Sequence, residues 1–373
     1  MEISLIRSFL ENMGLFHLTF GTVVMYAVAG SLIYLAIAKK FEPLLLLPIG
    51  FGILVANMPL TGLMTPHEGL LWKFYHYGIQ WEVIPPLIFL GLGAMTDFGP
   101  LLSRPSLIFL GAGAQVGVYI TFFSANLVGF SPAESATIGI IGGADGPTTI
   151  YLASKLSPHM LGSCAVAAYS YMALVPIIQP PVIRLLTTAS ERQIVMKKSR
   201  KVGRLEKILF PLTATFVVVL LVPASAPLMA MFMLGNLFRE SGVVERLSSA
   251  AQNELMNIVT IFLGISVGAT MNAETFLKPD VLFIFFLGLF AFAVSTASGV
   301  LIAKLMNLVL SEKINPMIGA AGVSAVPMSA RVVHQMGQAA NRKNYLLMHA
   351  MGPNIAGVIG TIVAAGIFLT YLK

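Results

Sequence analysis

The segment IIGGADGPTTI, residues 140–150, places a single acidic residue, Asp145, inside one of the most apolar regions of the chain. No lysine or arginine lies within nine residues of it on either side. A glycine pair precedes Asp145 and a Gly-Pro pair follows it, and this pattern favours an interrupted helix, because glycine is conformationally permissive and proline lacks a backbone donor. The segment therefore predicts a broken helix that exposes free carbonyl groups beside an isolated carboxylate.

The composition of the whole chain indicates a membrane protein. Its 373 residues are 57% hydrophobic and only 10% charged, whereas a soluble domain carries about a quarter charged residues. Apolar runs such as 18–38 and 281–303 reach the roughly 20 residues that cross a bilayer core. We therefore expect an all-α, multi-pass protein of the cell (inner) membrane, in contact with membrane lipid. Residues 1–16 have the pattern of an interfacial amphipathic helix.

Charge and cysteine content narrow the functional classes. The net charge of +7 fits basic cytoplasmic loops, so no nucleic-acid partner is expected. A single cysteine, Cys164, excludes an intramolecular disulfide and argues against a cysteine-ligated metal cluster.

Matching segments recur at a spacing near 178 residues. PIGFGILVAN (48–57) matches PLMAMFMLGN (227–236), and GAMTDFGPLLSRPSLIF (93–109) matches GATMNAETFLKPDVLF (268–283). The segment around Asp145 matches AAGVSAVPMSA (320–330), which places Ser324 opposite Asp145, and YMALVPII matches HAMGPNIA. The chain thus reads as repeat 1 (17–183), a basic cytoplasmic linker (184–207) and repeat 2 (208–373).

The fifth apolar segment of each repeat, 132–156 and 315–336, either crosses the membrane or enters and returns. Two re-entrant hairpins would place 18 of the 23 Lys and Arg residues on one side, whereas two crossings would place 15 there. Basic residues concentrate on the cytoplasmic side, so the hairpin arrangement is favoured. We therefore predict two inverted-topology repeats, each of about five transmembrane helices plus a re-entrant broken-helix hairpin.

The residues at the two breaks indicate a cation site. A charged carboxylate at membrane depth costs about 2.5–3.5 kcal/mol, and the groups around Asp145 are oxygen donors. Neither break contains His or Cys, which argues against zinc, copper and iron, whereas one carboxylate among neutral oxygens suits sodium. A protonated or amide-bonded structural aspartate is the alternative. The candidate donors are Asp145, Ser324 and Asn315, with the free carbonyls of Gly142, Gly143 and Gly319; Thr148 and Thr149 are further possibilities.

Three other polar residues near the breaks each allow two interpretations. Tyr171 is predicted to face the site from the next helix, or it is an ordinary core or interfacial tyrosine. Arg331 lies just past the second break, where it is either a functional group or a cytoplasmic anchor. Asn354, in an apolar helix, makes a helix–helix hydrogen bond or serves as a ligand.

Four long segments of the sequence carry a family resemblance: IIGGADGPTTIYLASKLSPHMLG, AVAAYSYMALVPIIQPPVIRLLT, NPMIGAAGVSAVPMSARVV and MGPNIAGVIGT. They resemble the beta subunit of the sodium-pumping, biotin-dependent decarboxylases of the oxaloacetate, methylmalonyl-CoA, glutaconyl-CoA and malonate types, and the resemblance covers nearly the whole chain. It implies a membrane-bound carboxybiotin decarboxylase that releases CO2, consumes a proton and exports sodium ions.

The resemblance also implies residue roles and partners. Asp145, Asn315, Gly319 and Ser324 match residues tied to sodium, and Tyr171 and Arg331 match residues implicated in proton delivery and carboxybiotin handling. A carboxyltransferase (alpha) subunit, a biotin carrier subunit, a small single-span gamma subunit, a homotrimeric core and an elevator-like arrangement are expected. The chain has no Ala-Met-Lys-Met biotin acceptor, so biotin would come from another polypeptide, and an acidic carrier would fit the basic linker. The alternative function is a sodium- or proton-coupled secondary transporter of an organic anion.

Overall fold

The protein is described by a computed structural model of residues 10–372, and within these residues it is helical, without β-strands. Most of the amphipathic helix predicted at 1–16 lies outside the described residues; Gly14–His17 forms a 3-10 turn. The main helices of the first half are α1 (Phe20–Ala38), α2 (Pro43–Ala56), α3 (Leu70–Gln80), α4 (Ile84–Met95), α5 (Ile108–Val128), α6 (Pro132–Ile140), α7 (Gly146–Leu156) and α8 (Leu161–Leu186). Those of the second half are α9 (Arg204–Leu221), α10 (Ala226–Ser241), α11 (Met256–Ala269), α12 (Pro279–Val309), α13 (Met328–Ala340) and α14 (Leu347–Leu372).

Six of the described helices are long and apolar enough to cross a membrane, which confirms the prediction of an all-α, polytopic membrane protein. They are Phe20–Ala38, Pro105–Val128, Pro158–Leu186, Glu245–Ala269, Pro279–Val309 and Leu347–Leu372. The bent pair α3 and α4, with 62° between its members, would make a seventh span.

Residues 70–80, between the apolar helices α2 and α4, form α3, whose second part is a π-helix. Leu71, Tyr75 and Ile79 are spaced four residues apart, and Leu71 and Ile79 are buried, so the segment is helical because it presents an apolar stripe to the core. Phe74 adds an edge-on ring contact with Phe262 of α11.

Two matching contacts connect the halves of the chain. The Asn57 side-chain amide donates to the carbonyl of Met271 just past α11 (2.7 Å), and that of Asn236 donates to the carbonyl of Thr96 just past α4 (2.7 Å). These asparagines occupy equivalent places in the sequence repeat. Close packing of α2 on α11 and of α10 on α4 accompanies the contacts, and a Cβ on Gly93 would lie 1.8 Å from the Phe232 carbonyl. The inverted relation of the repeats stays a prediction.

Helices α6 and α7 form a unit, hairpin 1 (132–156), that doubles back on itself. Its two ends meet at one place: the Ser157 hydroxyl donates to Thr137 Oγ1 (2.7 Å), and His159 Nε2 lies 2.9 Å from Glu134 Oε1. Ser131 caps α6 in a capping box with Glu134, and the Ser-x-x-Glu spacing at 131–134 is a sequence pattern that marks such a helix start. The tip consists of a 3-10 turn at Ile141–Gly143 followed by a left-handed residue.

A second unit, hairpin 2 (315–340), also has its ends together. The side-chain amides of Asn315, at its start, and Asn344, just past its end, both donate to the Arg192 carbonyl, at 3.0 and 3.1 Å. Its first arm is a 3-10 helix at Pro316–Gly322 and its second arm is α13. Helix α8 leads from the base of hairpin 1 to the linker that holds hairpin 2, a rise of about 39 Å over its 26 residues. The two hairpins therefore start from opposite ends of the molecule.

Candidate ion-binding site at the hairpin tips

Asp145 lies at the tip of hairpin 1, where it is the N-cap of α7. Ala144 has a left-handed backbone (φ 55°), which redirects the chain so that Asp145 precedes the first turn of α7 in an extended conformation. Its Oδ1 accepts a hydrogen bond from the Thr148 amide (3.2 Å), and its side chain is buried. Free amides and the helix dipole at an N-terminus favour a negative charge, so the local fold offsets part of the cost of burying a carboxylate there.

Ser324 of hairpin 2 lies directly against Asp145. Its hydroxyl donates to Asp145 Oδ2 (3.1 Å), and its backbone amide donates to the Gly143 carbonyl (2.7 Å). The structure thus brings together the two residues that the sequence repeat equates. The carboxylate accepts one hydrogen bond from its own helix and one from the opposite hairpin.

Side-chain amides hold the broken backbone of hairpin 2. Asn354 Nδ2 donates to the carbonyls of Ala321 (3.1 Å) and Val323 (2.6 Å), while Gln179 Nε2 donates to that of Ala320 (2.9 Å). Irregular backbone within a membrane persists only when its polar groups are satisfied by protein or by a cavity. Asn354 therefore makes the helix–helix hydrogen bond that the sequence left open, and its Oδ1 has no hydrogen-bond partner among the described residues.

Asn315 and Gly319 lie elsewhere on hairpin 2. The Asn315 amide donates to two linker carbonyls, those of Arg192 and Ile194, both at 3.0 Å, and its Oδ1 accepts from the Met317 amide. Gly319 packs on α12, where a Cβ would lie 2.1 Å from the Gly299 carbonyl. In this conformation Asn315 fastens the base of hairpin 2 to the linker, and Gly319 lets the first arm approach α12 closely.

Tyr171 and Arg331 point in directions that the sequence could not specify. The Tyr171 hydroxyl donates to the Phe285 carbonyl of α12, and its ring lies on Gly288. Arg331, one turn beyond the tip, lies on the exposed side of α13. Tyr171 also packs with Ile141 at the tip of hairpin 1. A second tyrosine approaches this hairpin: a Cβ on Gly146 would lie 2.1 Å from Cε1 of Tyr169.

The chemistry of the donors around the tips fits a hard monovalent cation. Buried hydroxyls of Tyr169 and Ser295 have no hydrogen-bond partner within the part of the chain that the structure describes. Ser295 Oγ would lie 3.0 Å from a Cβ on Gly142. Among the same described residues, no three His, Cys, Asp or Glu side chains converge. One carboxylate with neutral oxygens is a donor set for a hard ion.

Comparison with known proteins assigns the family. The model of the Na+-transporting oxaloacetate decarboxylase beta subunit matches residues 21–372. The methylmalonyl-CoA decarboxylase subunit beta of Veillonella parvula is 57% identical over 368 residues, covering 99% of this chain and 98% of the relative. The chain belongs to this family of decarboxylase beta subunits. The family resemblance seen in the sequence is confirmed.

Other relatives of this beta subunit carry different substrate names. The glutaconyl-CoA decarboxylase subunit beta of Acidaminococcus fermentans is 55% identical over 364 residues, covering 98% of this chain and 96% of the relative. The oxaloacetate decarboxylase beta chain of Haemophilus ducreyi is 50% identical over 424 residues, covering 97% and 98%. Together with its six candidate spans, membership of this family makes the chain a multi-pass membrane protein.

Two residues at the site of this beta subunit escaped the sequence reasoning. Gln179, between apolar residues and prolines in α8, holds the Ala320 carbonyl, and the signal that could have found it is a lone amide in a spanning helix. Tyr169 stands in the same apolar helix as Tyr171, and the sequence pattern does not reveal that both contact hairpin 1, Tyr171 at Ile141 and Tyr169 at Gly146.

Proposed function

We propose that this chain is the membrane carboxybiotin decarboxylase of a biotin-dependent complex, and that it couples CO2 release to the export of sodium ions. The observation that carries the proposal is the buried Asp145 carboxylate, shared between two hairpins that start from opposite ends of the molecule. The names of the relatives, all beta subunits of decarboxylases, support the same function.

Sodium is the transported ion in this proposal, and the hairpin tips hold it. The Asp145 carboxylate neutralises its charge and the Ser324 hydroxyl supplies a neutral oxygen, while Asn315 and Gly319 act by keeping hairpin 2 in register. Broken helices around a midplane ion site are the pattern of alternating-access transporters. We therefore propose inverted repeats with an elevator-like movement that exposes the tips to one side of the membrane and then to the other.

Arg331 and Tyr171 carry the chemical step. The Arg331 guanidinium binds the planar carboxylate of carboxybiotin with two parallel hydrogen bonds. When the N–C bond cleaves, CO2 leaves, the electron pair stays on the ureido group, and the Tyr171 hydroxyl gives that group a proton. Tyr171 must release the Phe285 carbonyl to do so, and it regains a proton from water.

Carboxybiotin arrives on a separate chain. In the proposal a carboxyltransferase (alpha) subunit loads biotin on a carrier subunit, and this carrier docks at the basic linker. The linker end of the molecule carries the base of hairpin 2, and Arg331 lies between that base and the tip. A small single-span gamma subunit and a homotrimeric core complete the proposed complex.

The test uses the whole complex in proteoliposomes, with sodium uptake and decarboxylation measured together. Wild type is expected to show sodium-stimulated decarboxylation with sodium uptake, both stopped by avidin, whereas Asp145→Asn loses both. Asp280 is an exposed acid at the start of α12. Asp280→Asn is the matched control and is expected to retain both activities. If Asp145→Asn keeps sodium-stimulated turnover, the proposal fails. Sodium uptake that persists with avidin would instead favour the organic-anion transporter.

A further inference from the structure

The two tyrosines of α8 near hairpin 1 face different neighbours. Tyr169 and Tyr171 are two residues apart, which separates their side chains by about 200° around the helix. Tyr171 faces α12, where its hydroxyl is satisfied by the Phe285 carbonyl. Tyr169 faces α7, and its ring edge and hydroxyl lie against Gly146, the residue after Asp145.

The contact between Tyr169 and Gly146 is close enough to define where the hydroxyl lies. A Cβ on Gly146 would be 2.4 Å from Cζ and 2.8 Å from the hydroxyl oxygen of Tyr169. Any side chain at 146 would push the phenol away from the first turn of α7. The glycine after Asp145 therefore has a second role besides the helix break, because it lets the phenol reach the N-terminus that Asp145 caps.

The Tyr169 hydroxyl is unsatisfied although it is buried. The side chain is 1% exposed, and its hydroxyl has no hydrogen-bond partner within the described residues. The Thr148 hydroxyl, on the first turn of α7, is fully buried and interacts with the Asp145 carboxylate. A buried hydroxyl without a partner is unfavourable. The Tyr169 phenol against Gly146, next to the Asp145 carboxylate and the Thr148 hydroxyl, therefore indicates that the site receives something that accepts lone pairs.

We propose that the Tyr169 hydroxyl is a further oxygen ligand of the cation at Asp145, with the Thr148 hydroxyl beside it. This inference rests on the proposed function for the identity of the ion, and it adds that hairpin 1 and α8 supply most of the oxygen shell. Asp145 provides the charge, Tyr169 and Thr148 provide neutral oxygens, and Ser324 joins from hairpin 2. Tyr169 thus ties ion binding to α8, the helix that also carries Tyr171.

The test measures ion binding without turnover. The full-length chain is purified in detergent, and its thermal unfolding midpoint is followed over a range of sodium chloride, with choline chloride keeping the ionic strength constant. An ion that binds the folded state stabilises it by RT ln(1 + [Na+]/Kd), so the midpoint starts to rise when the sodium concentration passes the dissociation constant. Tyr169→Phe is expected to raise the dissociation constant obtained from this rise about tenfold, the scale on which groups around a metal tune its affinity.

Tyr151→Phe is the matched control, because Tyr151 is a buried tyrosine of α7 in the main hydrophobic cluster; it is expected to leave the sodium response unchanged. Without sodium, Tyr169→Phe should unfold at the wild-type temperature or above, since the variant loses an unsatisfied hydroxyl. A purely structural role for the phenol would lower the midpoint equally with and without sodium, and that result would overturn the inference.

The remaining outcomes separate this inference from the proposed function. If Asp145→Asn abolishes the sodium response while Tyr169→Phe and Thr148→Val both keep the wild-type response, the ion site stands and the ligand assignment is wrong. If Asp145→Asn itself responds like wild type, the proposed function fails first. Should Tyr169→Phe not fold, Thr148→Val decides alone: a tenfold shift supports the oxygen shell on hairpin 1, and an unchanged response refutes it.

Discussion

Hairpins 1 and 2 occupy equivalent places in the sequence repeat, but they are held together differently. Hairpin 1 has two α-helical arms, and its tip is stabilised from within by Asp145 as the cap of α7. Hairpin 2 has a 3-10 first arm and no acidic residue, and its tip carbonyls depend on Asn354 of α14 and Gln179 of α8. Hairpin 1 therefore provides the charge of the site. Hairpin 2 provides a neutral hydroxyl on a backbone that α8 and α14 support.

The largest predicted effect comes from making the two hairpin tips chemically alike. Asp145→Ser places serine at both equivalent positions, and the site then has no charge to balance the cation. We expect at least a 100-fold loss of sodium-stimulated decarboxylation in proteoliposomes, equal to about 2.7 kcal/mol. The double variant Asp145→Ser with Ser324→Asp restores one carboxylate on the other hairpin and should recover part of the activity. Equal activity of the single variant and wild type would show that the charge on hairpin 1 is dispensable.

The second prediction tests whether hairpin 2 depends on its neighbours. Asn354→Leu keeps the branched shape of asparagine but leaves the Ala321 and Val323 carbonyls without their donor. Since an unsatisfied buried polar group costs about 1–3 kcal/mol, we expect a loss of about 2 kcal/mol in the free energy of unfolding in detergent. Asn126→Leu, at an exposed amide on α5, is the control and should change it little. Equal stability of the two variants would contradict the supporting role of α14.

Much of the fold was predictable because local chemistry decides it. The apolar runs gave the spanning helices, and Ser131 with Glu134 gave the start of hairpin 1. The pairing of Asp145 with Ser324 follows from the internal repeat, and the structure places the two side chains in contact. These features depend on residue order alone, so no knowledge of packing was required.

What could not be predicted depends on how helices rotate and meet. In an almost uniformly apolar helix such as α8, periodicity carries little information, so the sequence does not show that Tyr169 as well as Tyr171 lies against hairpin 1. The 3-10 first arm of hairpin 2 lies against α12 where Gly319 meets Gly299, and this tertiary contact cannot be seen in the sequence. Asn315 donates its amide to linker carbonyls that are distant in sequence, and the repeat pattern does not reveal this contact.

The third prediction tests the contact between the two hairpin tips. Ser324→Ala removes the hydroxyl that donates to Asp145 Oδ2 at 3.1 Å. Hydrogen bonds to charged groups contribute about 1.5–3 kcal/mol, and at the lower end of that range the sodium concentration for half-maximal activity rises about tenfold. Ser324→Thr keeps the hydroxyl and is expected to stay within a few-fold of wild type. An alanine variant with unchanged sodium dependence would mean that hairpin 2 contributes no ligand.

The fourth prediction concerns the base of hairpin 1, which is closed by its own cap. Ser131→Ala removes a capping box at α6, and losses of this kind cost about 1 kcal/mol. We expect this decrease in the free energy of unfolding, with sodium affinity unchanged because the tip is left intact. Ser154→Ala, which loses only a bond to the Tyr151 carbonyl one turn away on the half-buried side of α7, is the comparison variant. A large loss of sodium affinity in Ser131→Ala would show that base and tip are coupled.

The base of hairpin 2 is attached to the linker partly by ion pairs. Removing these ion pairs gives the smallest of the predicted effects. Lys197 lies 2.5 Å and Arg104 3.1 Å from the Glu312 carboxylate. The hydrogen bond from Lys197, with the positive charges of both basic residues, holds the pKa of Glu312 below its usual value. A carboxyl with a lowered pKa in the folded state stabilises that state above its ordinary pKa, and this stabilisation is lost as the pH falls through the lowered value. The linker should therefore be equally attached at pH 7 and pH 5, and looser below about pH 4.

A spin label on the linker can measure this attachment. Val195 is 52% exposed, and the single native cysteine, Cys164, is buried, so Val195→Cys gives one accessible labelling site. Glu312→Gln removes the charge at every pH, so its label should be as mobile at pH 7 as the label on otherwise wild-type protein is in acid. Because surface ion pairs contribute little and are screened by salt, 0.5 M salt should loosen the linker at pH 7 in the same direction. If the mobility of the label does not change with pH, with salt or in Glu312→Gln, the base of hairpin 2 is held by the Asn315 and Asn344 amides alone. The two bases would then be more alike than the charges around hairpin 2 suggest.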